Sequence, residues 1–141
     1  MAKQTNLYLT KGLVTAGVTA AAADTTAWKT VYTAAADDAV IKGLSAVSDD
    51  TAAINVRIGI DVAGAGTVRQ IGTVNVPIAS GTNGVAPAVD LIAALVCPFL
   101  PVDRNAKRII PLKAGDILKV ACLATMTAAK TLTVTAFAEE Y

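Results

Sequence analysis

The sequence contains no histidine, and that one absence removes Ser-His-Asp and Cys-His catalysis, imidazole metal ligation and histidine proton transfer together. The serines, Ser45, Ser48 and Ser80, stand outside any Gly-x-Ser-x-Gly elbow. Gly64 and Gly66 have the opening spacing of a dinucleotide loop, yet Arg69 occupies the place of the third glycine, so a hairpin turn is the better reading. The pairs Asp37-Asp38 and Asp49-Asp50 could share a calcium ion, but they lack the ligand spacing of a calcium loop, and Asp commonly opens turns. Cys97 and Cys122 are the only thiols, and in a reducing compartment they read as two buried free cysteines. The expectation is a protein with no catalytic residue, metal site or cofactor.

The remaining chemistry is that of contact. Arg104, Lys107, Arg108 and Lys113 form the one basic cluster. No aromatic residues interleave with it to stack bases, so it reads as a solvated loop and edge strand, or as a salt-bridging surface for an acidic protein partner. Leu95-Val-Cys-Pro-Phe-Leu-Pro101 is the densest apolar run. It is either a crossover that fills the core or a patch in which Phe99 and Leu100 meet a partner, the prolines lowering the entropy cost of binding. Glu139 and Glu140 precede Tyr141 and read first as a solvated tail, second as a docking strand. Trp28 and Tyr32 are expected to share a strand face and pack in the core. The candidate interface residues are Phe99, Leu100, Arg104, Arg108 and Tyr141.

These residues need a scaffold, and composition bounds it. The chain has 141 residues, 54% hydrophobic and 16% charged, which suits one domain spanning 1–141 with a real core. Ala makes up roughly a fifth of the chain, well above ordinary usage, while aromatics are 4%. A net charge of +1 generates no field that would steer nucleic acid or an anionic membrane. The start Met1-Ala-Lys-Gln-Thr-Asn lacks the apolar core of a secretion signal, so synthesis and folding in the cytoplasm are expected. Val85 to Val102 is apolar but broken by Asp90 and by Pro87, Pro98 and Pro101, which rules it out as a spanning helix.

Periodicity predicts strands. In Ile54 to Val62 the apolar residues Ile54, Val56, Ile58, Ile60 and Val62 alternate with Asn55, Arg57, Gly59 and Asp61, the mark of a strand with one wet face. Ala63-Gly-Ala-Gly66 then turns the chain into Val68 to Ile78, where Val74, Val76 and Ile78 share a face and Gly72 marks a bulge. Arg108 to Leu112, Ile117 to Ala124 and Thr131 to Ala138 read as three further strands, the second apolar on both faces and so central in its sheet. Asn6 to Val14, Trp28 to Ala34 and Val40 to Val47 are weaker strands, and Ala16 to Thr26 reads as a loop or helical turn. Pro87 to Val96 is the one short helix, with Asp90 near its positive end and Leu91, Ile92 and Leu95 on one face. About eight strands with one helical connection define an all-β jelly roll or β-sandwich.

The stretches Ile109-Ile-Pro-Leu-Lys-Ala-Gly-Asp-Ile-Leu-Lys-Val120 and Thr131-Leu-Thr-Val-Thr-Ala136, in a histidine-free Ala/Thr/Val-rich chain of this length, resemble the small jelly-roll decoration, or cement, proteins of tailed bacteriophages. The resemblance spans the chain in length and strand rhythm. It implies a virion protein on the outer capsid surface, a homodimer at twofold positions that clamps the major capsid protein, with no nucleic acid, membrane or small-molecule substrate. The alternative is a receptor- or carbohydrate-binding β-sandwich module of a phage fibre or spike, for which aromatic residues are scarce. An enzyme is the third reading, since no acid–base pair is evident.

Overall fold

The structure, a computed structural model, describes residues 12–141. Among these residues nine strands form two antiparallel sheets: β1 (Leu13–Ala21), β2 (Lys29–Thr33), β3 (Ala39–Ser48), β4 (Ile54–Asp61), β5 (Val68–Val76), β6 (Val89–Asp90), β7 (Ile110–Leu112), β8 (Ile117–Cys122) and β9 (Thr131–Glu140). One sheet runs β1-β9-β3-β6, with β7 also on β3; the other runs β2-β8-β4-β5. Counting β6 and β7 as one interrupted strand, the pairs nest: β1 with β9, β2 with β8, β3 with β6 and β7, β4 with β5. That nesting is the winding of a jelly roll, so the expected all-β sandwich is the observed fold.

Small side chains write the first strand. Val14, Ala16, Val18 and Ala20 point at the core while Leu13, Thr15, Gly17 and Thr19 face out, so the stretch from Ala16, expected as a loop or helical turn, first completes β1 and is a helical turn only at Ala22–Asp24. Of the expected strand over Asn6 to Val14, the part before Gly12 lies outside the described residues. At the open side of β1, the Lys29 ammonium donates to the Thr19 carbonyl and to Asp24, each at 2.8 Å, covering an edge that could otherwise pair with another chain.

The core lies between the sheets. Ile41, Leu44 and Ala46 of β3 and Leu132, Val134, Ala136 and Ala138 of β9 join Val56 and Ile58 of β4 and Leu118 and Val120 of β8, all buried. Each fully buried Leu or Ile contributes roughly 1.5–3 kcal/mol. β8 lies between β2 and β4 and buries Ala121 as well as Leu118 and Val120, as a central strand must.

Several expectations change. Gly59 and Asp61, expected on a wet face, are buried because Trp28 and Val68 lie over Gly59, while Val62 at the strand's end is exposed. Trp28 and Tyr32 do not share a face: a bulge between Thr30 and Tyr32 breaks the alternation. Trp28 stacks under the Arg57 guanidinium at 4.7 Å, whereas the buried Tyr32 donates to Glu140 Oε1 at 2.6 Å. Ile78 leaves the face of Val74 and Val76 because Pro77 ends the strand, and it is exposed. Glu139 and Glu140 are not a tail; they pair with Leu13 and Ala39 inside β9.

The bulge expected beside Gly72 is present, with Ile71 as the extra residue between the pairs Ile58–Gly72 and Gly59–Gln70. Gly72 has a second reason to be glycine, since Leu95 occupies the space a Cβ would need. The helix shrinks to α1 (Leu91–Ala94), because Val89 and Asp90 pair with β3 and leave Pro87 outside it. Asp90 caps α1 by accepting from the Ile92 and Ala93 amides at 3.0 and 3.2 Å. Asp90→Ala is expected to cost about 1 kcal/mol, read as a fall of about 4 °C in melting temperature.

Candidate interaction surface

Leu91, Ile92 and Leu95 bury against the sandwich and fix where the next segment starts. From there to β7 the chain ties itself down. The Leu100 amide donates to the Cys97 carbonyl, that of Ile109 to Pro101 at 3.0 Å, and that of Asp103 to Lys107 at 2.8 Å. Val102 and Arg108 form a bridge. Asp103 accepts from the Asn105 and Lys107 amides at 2.8 and 3.0 Å. The Lys107 amide foremost, helped by that of Asn105 and by the charges of Lys42 and Lys107, holds this carboxyl below the ordinary carboxylate range. Arg108 reaches back to the Leu95 carbonyl, closing the loop on the helix that launched it.

On this tied loop the apolar side chains divide. Leu100 and Cys97 are half-buried and pack on the core, whereas Phe99 is 93% exposed, Val96 88% and Val102 57%. The core-filling reading of the run therefore holds for Leu95 and Leu100 and fails for Phe99, because Pro98 and Pro101 flank a turn that carries the ring outward. Three large apolar side chains are thus exposed within one hydrogen-bonded loop, and exposed apolar groups of this kind are candidates for a contact site.

Cations flank it. Arg104 and Lys107 are exposed, and Lys107 and Arg108 join Lys42, Asp90 and Ala93 around a groove of about 260 Å³. Asp90 and Asp103 accept from backbone amides here, and Asp103 also feels the charges of Lys42 and Lys107, so the groove is lined by both signs of charge. Lys42 also pairs with Glu139 at 3.5 Å.

The structure does not gather all the expected residues. Phe99, Leu100, Arg104 and Arg108 share the loop, but Tyr141 and Lys113 line a separate groove of about 770 Å³ beside Asp38 and Pro111. There the Tyr141 amide donates to the Asp38 carbonyl at 3.0 Å and its hydroxyl to Glu139 at 3.2 Å; burial, then Glu139, push the phenol's pKa up. Sequence reasoning missed Val96 and Val102, whose direction depends on the turn, and Lys42 and Asp90, which come to the groove from other strands.

Other reactive groups are committed to structure. Asp38 accepts from the Ala114 amide, Asp49 from the Thr131 amide and Asp50 from Ala52 and Thr127; of these the bond from Ala52 to Asp50 is the local turn role expected of the carboxylates, while the others tie together segments distant in sequence. Asp61 clamps the Gly66 amide and pairs with Lys119 at 3.1 Å. Cys122 is buried and burial raises its thiol pKa, while Cys97 is only half-buried; both are free. Among the described residues no three His, Cys, Asp or Glu side chains cluster as a metal site. No protein-family model, curated protein or solved structure matches the chain, so the functional argument rests on this surface.

Proposed function

We propose that the protein is a structural virion protein that binds the outer surface of a phage capsid and stabilises contacts between major capsid protein subunits. The observation that carries this reading is Phe99, 93% exposed on a loop tied at both ends and flanked by Arg104 and Lys107. An aromatic held outward in advance loses little freedom on binding and is the residue type that dominates interface energies. The partner is a protein surface with an apolar pocket for the ring and carboxylates near its rim. As a homodimer on a twofold axis, the protein presents the patch twice, so weak single contacts multiply.

Binding only to the assembled shell stabilises the shell by mass action, about 2.7 kcal/mol per site at a free concentration one hundred times the dissociation constant. The test adds the purified protein to capsids of its phage assembled without it. Co-sedimentation and a raised capsid melting temperature are expected. No binding to the shell, together with glycan-array binding, would move the protein to a fibre or spike.

A further inference from the structure

Between β5 and β6 the chain makes a loop closed by the Gly81 amide on the Ala86 carbonyl at 2.7 Å. Asn83 and Gly84 sit exposed at its tip, with Gly84 at φ +74°. Asn83 Oδ1 accepts from the amides of Val85 and Ala86, at 2.9 and 3.2 Å. Two donors on one side-chain carbonyl oxygen withdraw electrons from Cγ and are placed to stabilise negative charge developing on that oxygen. The Gly84 amide donates to no acceptor among the described residues, and a glycine has no Cβ to obstruct its approach to Cγ.

We propose that Asn83-Gly84 is a self-modifying site at which the folded chain converts asparagine to aspartate and isoaspartate through a cyclic imide. The Gly84 nitrogen, losing its proton to solvent, forms a bond to Asn83 Cγ. The electron pair of the C=O bond moves to Oδ1, between the two amides. Collapse breaks the Cγ–Nδ2 bond, and Nδ2 leaves as ammonia with a proton from water. Water then adds to either imide carbonyl and opens the ring, so the sum is asparagine plus water giving a carboxylate residue plus ammonia. The other described asparagines lack this arrangement: Asn55 and Asn75 hydrogen-bond each other across β4 and β5 at 3.0 Å and precede valines, and Asn105 precedes Ala106. Conversion places a negative charge next to Val85, a side chain 86% exposed, and the isoaspartyl form lengthens the backbone within the loop.

The experiment incubates the folded full chain in ¹⁸O-labelled water at neutral pH and maps its peptides by mass spectrometry, with an isoaspartyl methyltransferase assay alongside. One labelled carboxyl oxygen is expected in the Asn83 peptide, with Asn55, Asn75 and Asn105 unchanged. Val85→Pro removes one of the two donors and is expected to slow conversion about tenfold, with a thermal scan to verify that the variant is folded; an unchanged rate overturns the role given to the amides. Conversion in urea but not in the folded chain, or equal conversion at Asn55, Asn75, Asn83 and Asn105, overturns the proposal.

Discussion

Phe99→Asp is expected to weaken binding to the capsid surface about thirtyfold, because losing a central aromatic anchor costs about 2 kcal/mol or more. The melting temperature of the isolated protein should stay within about two degrees, since substitutions at open surface positions move stability by less than about 0.5 kcal/mol. The ring is 93% exposed, so the chain surrenders almost no packing when it goes, and the new carboxylate stays in solvent. Co-sedimentation with capsids across a protein titration reads the affinity, and a thermal scan reads the fold. Equal affinity of variant and wild type would remove Phe99 from the interface. Leu100 is the wrong residue for this test, because it packs on the core and its replacement would mix folding with binding.

The strands that announced themselves are those in which Ile, Val or Leu lead an apolar row that alternates with polar residues. Ile54, Val56 and Ile58 against Asn55 and Arg57 is such a pattern, and Leu132, Val134 and Ala136 against three threonines is another; both strands lie where expected. β1 hid because its alternation is between Val or Ala and Thr or Gly, and such small side chains contrast weakly in hydropathy. The bulge at Val31 hid for a different reason: an inserted residue shifts the period by one, and nothing in Trp28 to Tyr32 marks the insertion. The short helix was legible in its cap and buried face, yet not in its start, because β3 claims Val89 and Asp90 through pairing that is set more than forty positions earlier in the chain.

The interaction surface was legible to the extent that it is local. Phe99, Leu100, Arg104 and Arg108 fall on one loop because they are neighbours in sequence. Which of Phe99 and Leu100 turns outward depends on the hydrogen bonds from Leu100 to Cys97 and from Arg108 to Leu95, and those follow from the docking of α1. Lys42 has no local signal at all, since β3 brings it to the groove by sheet pairing. Tyr141 carries the opposite lesson: it follows β9 directly and is held at a different groove by Asp38 and Glu139.

Asp50→Ala is expected to destabilise the fold by roughly 3 kcal/mol at neutral pH, since hydrogen bonds to a charged group are worth about 1.5–3 kcal/mol and its removal frees several donors at once. The side chain is 1% exposed and joins two turns: Oδ1 accepts from the Ala52 amide at 3.0 Å and the Thr127 hydroxyl at 2.6 Å, and Oδ2 from the Thr127 amide at 2.9 Å. Burial by itself pushes this carboxyl's pKa up, but the bonds from Thr127, Ala52 and Thr51 outweigh it and hold the pKa below the ordinary value. A carboxyl depressed in the folded state contributes stability that is fully present above its unfolded pKa of about 3.9 and is lost as pH falls through the lower folded pKa. The gap between wild type and variant should therefore be constant from neutral pH down to about 5 and close below about 4. Urea unfolding of both proteins at several pH values measures that gap, and a gap that stays constant through the acid range would show that Asp50 acts through its shape and not through its charge.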